Sequence, residues 1–182
     1  MIFNPKTITL KDGRTCTLRP AEAKDAQEML DYLRTSAGET PFLLRNPDEV
    51  TFTVESEESF LENKKNTPRE LMMVAEVGGV LAGNCGIITN GELRRVYHRG
   101  GFAIALLKEY WHLGIASAMM TYAFELAKEM GYEQMELEVV DGNERAKALY
   151  EHLGFQETGK HFHALKYDDG NYRDEYTMVK FL

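Results

Sequence analysis

A chain of 182 residues, 43% hydrophobic and 10% aromatic, is one domain's worth and long enough to bury a core without staples. Charged residues make up 27%, which beside that apolar share excludes a disordered chain. Against 29 Asp and Glu stand 21 Lys and Arg, a net charge of −8 that repels nucleic acid and suits a cationic partner such as an amine.

Thr7–Leu10 and Arg14–Arg19 read as a β-hairpin around Asp12-Gly13, which supplies the positive φ of a tight turn. Residues 21–36 read as a helix with Ala26, Met29, Leu30 and Leu33 on one face and Gly38 as its stop. Residues 38–55 have no clean period, and Pro41 and Pro47 break any long helix there. A short helix is expected from Ser56, as N-cap, to about Asn66. Leu71–Val77 and Val80–Thr89 form a second hairpin across Gly78-Gly79. The next strand, 96–107, holds the apolar run Phe102–Leu107, as for a strand buried on both faces. A helix from Gly114 to Met130 carries the stripe Ile115, Met119, Ala123, Leu126, Ala127, and Gly131 ends it. Met135–Val140 is a strand, Asn143 caps a helix closed by Gly154, and two strands flank the turn Asp168–Asn171. The order β-β-α-α-β-β-β-α-β-α-β-β predicts one α+β domain, residues 1–182, with a mixed sheet and four helices on its faces.

Cys16 and Cys85 form no C-x-x-C pair, so neither a zinc cluster nor a redox dithiol is expected, and both read as small core residues. His161 and His163 share a strand face without a third ligand, so no metal is expected. The first residues lack the apolar stretch of a signal peptide, and no run reaches membrane-spanning length. A soluble, cytoplasmic protein is expected, with no membrane or nucleic-acid partner.

Two places carry chemistry. At Leu106–Ser117 a strand runs through a short loop into a helix start, where unpaired N–H groups and the helix dipole favour a phosphate group. Gly114 allows close backbone approach and Ala116 adds little bulk; an ordinary strand-to-helix turn would read the same way. At Asn143–Phe155, Tyr150 lies nearly two turns after Asn143 and projects from the same side of the helix. By itself Tyr150 reads equally as a half-buried packing aromatic.

Together, Asn143-x-x-Ala146-x-x-Leu149-Tyr150-x-x-x-Gly154-Phe155 and the earlier Trp111-x-x-Gly114-Ile115-Ala116 resemble the GNAT acyltransferase superfamily, which moves acetyl groups from acetyl-CoA to amines. The resemblance runs from about Leu71 to Phe155. It extends to Arg14–Leu33 and to the ending Asp169–Met178, which is similar to the branch acting on ribosomal-protein N-termini, polyamines and antibiotics. It implies a mostly antiparallel sheet of six or seven strands. Two parallel strands, 96–107 and 135–140, should splay at Leu106 to admit the cofactor arm.

By the resemblance, the backbone of Ile104, Ala105 and Leu106 pairs with the pantetheine arm, and one amide there polarises the acetyl carbonyl. The main chain of His112, Leu113, Gly114, Ile115, Ala116 and Ser117 holds the pyrophosphate. Asn143 bonds the arm, and Tyr150 protonates the leaving thiolate. Transfer is direct, through a ternary complex, because neither cysteine lies in a motif. Trp111, His112 and Leu113 depart from the commonest family residues, and Gly101 stands where relatives often carry a Glu base.

The base is therefore open among Glu39, Glu76, Glu138, Tyr97 and His98, with His98 favoured because a histidine is neutral near pH 7; a water chain to bulk solvent could also serve. Glu39 and Phe42, in a segment resembling the family's substrate loop, are expected to bind the acceptor, with nearby acids attracting a cation. Neutralising Glu39 and Glu49 should then raise acceptor KM in a salt-dependent way. The acceptor is expected to be a small-molecule amine or a peptide N-terminus, and pairing of the terminal strand could make a homodimer. A non-catalytic acetyl-CoA sensor remains the alternative.

Overall fold

A computed structural model describes residues 1–182. Its strands are β1 (Lys6–Thr9), β2 (Thr15–Pro20), β3 (Leu71–Val77), β4 (Val80–Thr89), β5 (Arg99–Leu106), β6 (Gln134–Val140), β7 (Gln156–Lys166) and β8 (Tyr172–Phe181). Its helices are α1 (Ala26–Glu39), α2 (Val54–Asn66), α3 (Ile115–Glu129) and α4 (Glu144–His152). All eight strands join one sheet in the order β1-β2-β3-β4-β5-β6-β8-β7, where six or seven were expected. The N-terminal hairpin extends the sheet because β2 pairs with β3 through Cys16↔Val77 to Pro20↔Met73.

The one parallel pair, β5–β6, is joined through α3, and it is short. Pairing covers Arg99↔Gln134, Gly100↔Met135 and Gly101↔Glu136, while β5 continues to Leu106 and β6 to Val140. Beyond Gly101 the strands diverge, as expected. On the far side β5 stays bound to β4 along its length, from Gly83↔Leu106 to Thr89↔Gly100.

Register assigns the faces. Asn84 on β4 meets Tyr32 of α1, whereas Phe102, paired with Ile87, stacks edge-on against Phe124 of α3 at 5.1 Å. Asn84 and Ile87 point to opposite faces, so α1 and α3 cover opposite sides of the sheet. The core between sheet and α3 is methionine-rich, with Met73, Met119, Met120, Met135 and Met178 fully buried. Cys16 and Cys85 are also buried and unbridged.

Several boundaries differ from the sequence reading. Gly38 does not stop α1; the helix ends at Thr40, held extended (φ −151°, ψ 143°) by the proline that follows. Thr53, not Ser56, caps α2, its hydroxyl accepting from the Ser56 N–H at 3.2 Å. β8 begins at Tyr172 because the Asp169 carboxylate accepts from the Asn171 N–H at 2.9 Å and closes the hairpin early. Close approach fixes one glycine: a Cβ on Gly83 would lie 2.6 Å from the Ala105 carbonyl oxygen and 2.1 Å from the Leu106 side chain.

Candidate functional site

The divergence of β5 from β6 leaves main-chain groups without partners. The Leu107 N–H donates to the Ala82 carbonyl at 2.9 Å, which fixes the antiparallel alternation. Ala103 and Ala105 turn their polar groups toward β4; Ile104 and Leu106 turn theirs toward the gap that β6 has left. The Leu106 carbonyl is taken by the Trp111 indole N–H at 2.9 Å. The Ile104 N–H and C=O and the Leu106 N–H remain for an extended, amide-bearing ligand, which would bind as an added strand. Ala105 is the correction here. Its carbonyl faces β4 and accepts from the buried Tyr32 hydroxyl at 2.8 Å, so only its methyl faces the cleft.

The gap leads to the start of α3. His112 (φ 65°) and Gly114 (φ 92°) are both left-handed, and they turn the chain tightly into the helix. Gly114 is the N-cap, with no side chain to bond the first amides, and the first turn holds no acid. The first helical bond is Ala118 N–H to Gly114 C=O at 3.1 Å, so the N–H groups of Ile115, Ala116 and Ser117 point free. An anion fits there. Leu113 is turned away, its carbonyl accepting from the Lys11 N–H at 3.3 Å.

Two cations that the sequence reading missed line the same end, Lys11 and Arg145. The Arg145 guanidinium stacks 3.2 Å from the centre of the Trp111 ring, bridging α4 to the loop before α3 across the gap. No carboxylate pairs with Arg145, and its partial burial pushes its pKa down. A cation held this way is matched to a phosphate.

On α4, Asn143 accepts from the Ala146 N–H at 3.4 Å as N-cap, which leaves its amide NH2 free in the cleft. Tyr150 is 8% exposed and leans on Phe155, ring centres 5.9 Å apart. Its hydroxyl makes no hydrogen bond within the protein and opens on the cleft. Burial pushes the phenol up to about 12, with Arg145 pulling the other way. Tyr150 thus stays protonated at any working pH.

The cleft, about 520 Å³, continues past Ile104 to a mouth lined by Thr40, Phe42, Leu43, Leu44, Glu138 and Glu175. Phe42 also walls a second cavity of about 400 Å³ with Tyr167, Tyr172 and Arg173, where the Tyr167 hydroxyl donates to the Pro41 carbonyl at 2.7 Å. Phe42 thus stands between the two cavities.

Two sequence candidates lie outside the cleft. His98 sits before β5, at the end opposite the gap, where its carbonyl accepts from the Glu133 and Gln134 N–H groups, and its side chain does not line the cleft. Glu39 does not line it either: its carboxylate accepts from the Lys108 N–H at 2.6 Å and caps the turn after β5. Glu49 is likewise spent on the Asn46 N–H at 2.8 Å. Glu39→Ala should therefore cost about 1 kcal/mol in urea unfolding, as lost caps do. The salt dependence of acceptor KM should stay as in the wild type.

The model for the acetyltransferase (GNAT) family matches residues 29–155. A Bacillus subtilis (strain 168) protein named "Putative ribosomal N-acetyltransferase YdaF" is 27% identical over 95% of this chain and 96% of its own length. The crystal structure of a GNAT-family acetyltransferase from Streptococcus pneumoniae superposes with a TM-score of 0.86 at 30% identity, covering 92% of this chain and 99% of that one. The fold is also shared with yncA from Salmonella typhimurium, solved with its cofactor acetyl-CoA (TM-score 0.79, 16% identity, 92% and 94% covered).

Proposed function

Because the chain belongs to the GNAT family, acetyl-CoA-dependent acyltransferases, we propose that it carries acetyl directly to a primary amine within a ternary complex. The observation that carries this reading is the open stretch of β5, whose free Ile104 and Leu106 groups run from the bare start of α3 to the Tyr150 hydroxyl. Acetyl-CoA supplies the activated acetyl group as a thioester. Ile104 and Leu106 would align the arm, and the α3 amides with Lys11 and Arg145 would hold the phosphates.

Tyr150 would give a hydrogen bond to the departing sulfur. A phenol at about 12 facing an ordinary thiol near 8.5 releases its proton uphill by about 5 kcal/mol. The desolvation that raises the phenol also raises the thiol, so the mismatch narrows inside the closed cleft. A cysteine-bound acetyl is disfavoured: Cys16 and Cys85 lie in the core away from the cleft, and burial pushes the Cys16 thiol to about 11 and Cys85 higher.

For the acceptor we favour a peptide N-terminus or a small amine reaching the Phe42 mouth; the name of the Bacillus subtilis relative supports the first. The test is acetyl-CoA consumption with a panel of short peptides and alkylamines, products identified by mass. Acetylation of a primary nitrogen is expected. Binding of acetyl-CoA without any acetylated product would overturn the transfer reading and leave a cofactor-binding protein.

A further inference from the structure

An ammonium cannot attack a thioester, so the site needs a group to take its proton. His98 is out of reach and Gly101 has no side chain. We propose that Glu175 is that catalytic base, with Glu138 beside it holding the acceptor's positive charge. This rests on the amine-transfer reading above.

The sheet register places the pair. Glu138 lies opposite Thr177 and Glu175 opposite Val140, so the two carboxylates are diagonal neighbours on one face, roughly 7 Å apart at Cβ. Both line the cleft, on the side of the gap across from the free β5 amides. Neither carboxylate has an ion pair or hydrogen bond within the protein. Their neighbour Glu136 shows the opposite case. It is bonded by Arg99, Gln134 and Asn90, and these partners hold its pKa below the ordinary value. A carboxylate so committed can neither bind a cation nor accept a proton; Glu138 and Glu175 can do both.

Glu175 is the better base of the two. It is half-buried while Glu138 is exposed, and burial together with the Glu138 charge raises its pKa. His161 of β7 opposes that shift; Tyr167, after β7, and Arg173, on β8, are the other groups facing this corner. A carboxyl raised toward neutrality takes a proton more readily than one near 4.5.

The protons balance as follows. The ammonium loses one proton to Glu175 and becomes the free amine. Its nitrogen bonds the acetyl carbon as the C–S bond breaks, and a second proton leaves nitrogen. Tyr150 gives a proton to sulfur and regains that second one. Glu175 discharges the first to solvent through the exposed mouth, so the net products are amide, thiol and one proton.

The experiment compares wild type, Glu175→Gln and Glu138→Gln with butylamine, an ammonium at pH 7, and 2,2,2-trifluoroethylamine, already neutral there. Trp111, the sole tryptophan, lines the cleft, and its fluorescence should report acetyl-CoA binding. With butylamine, Glu175→Gln should lower kcat about 100-fold at pH 7, the deficit shrinking as pH rises. With trifluoroethylamine it should stay within a few-fold of wild type. Glu138→Gln should mainly raise butylamine KM, and acetyl-CoA affinity should hold in both variants. In cofactor-free protein labelled with 13C-glutamate, the Glu175 carboxyl should titrate above the ordinary glutamate range, and Glu138→Gln should bring it down.

An equal deficit with both amines at every pH, wild-type rates in Glu175→Gln, or an ordinary Glu175 titration would overturn the assignment alone. A wild-type protein that binds acetyl-CoA and acetylates no amine or peptide would overturn the transfer reading, and this assignment with it.

Discussion

Tyr150→Phe should lower kcat by a factor of 100 to 1000 and leave both the fold and the affinity for acetyl-CoA as they are. The hydroxyl has no hydrogen-bond partner inside the protein, so removing it breaks nothing that holds α4 in place. The ring's packing on Phe155 survives in phenylalanine. What disappears is the phenol O–H that opens on the cleft beside the free Ile104 groups, and loss of a positioned acid commonly costs about 10²–10⁴ in rate. Unfolding midpoint, Trp111 quenching by acetyl-CoA and steady-state kinetics together separate this from a structural effect. Because the phenol sits near 12, the wild type should show no loss of rate from its ionisation between pH 7 and 10. A variant as fast as the parent across that range would remove Tyr150 from the chemistry.

Ser117→Asp should act on stability and on binding in opposite directions. Ser117 is the third residue of α3, in a first turn that has no acid and no capping side chain. A carboxylate there meets the free N–H groups and the positive end of the helix dipole, worth about 0.3–1 kcal/mol of added stability. The same carboxylate would occupy the place proposed for the phosphates and repel them at contact distance. We expect affinity for acetyl-CoA to fall at least 100-fold, about 2.7 kcal/mol, while the urea midpoint rises. Fluorescence titration and urea unfolding read the two effects separately. Falling stability together with falling affinity would mean that α3 was merely damaged.

Much of the cofactor side was legible in the sequence because it is local. A helix start is recognised from a few adjacent residues, and Gly114-Ile115-Ala116 and Asn143 to Tyr150 each lie within one element. The parallel pairing of β5 and β6 followed from one helical crossover, and their splay from the family resemblance. The rest of the cleft is made by pairing of distant segments. Glu138 and Glu175 meet only through the β6–β8 register, and Arg145 meets Trp111 only where α4 starts beside the loop before α3.

His98 was favoured on intrinsic pKa, a property that carries no position; the strand places it at the closed end of the gap. Glu39 misled for a related reason. A carboxylate that caps a backbone amide has the same letter as one that meets a substrate, and only the 2.6 Å contact to Lys108 tells them apart. The irregular segment from Thr40 to Thr53 has no period to read, so Leu43 and Leu44 could not be placed at the mouth.

The burial of the two sulfhydryls also settles how turnover is best followed. With Cys16 near 11 and Cys85 still higher, neither carries appreciable thiolate at pH 8, and both are walled off by the sheet and its helices. An aromatic disulfide reagent added to the native enzyme should colour only with coenzyme set free by the reaction. A continuous spectrophotometric assay therefore needs no cysteine-free version of the protein, and slow colour without substrate would serve as an internal gauge of unfolding.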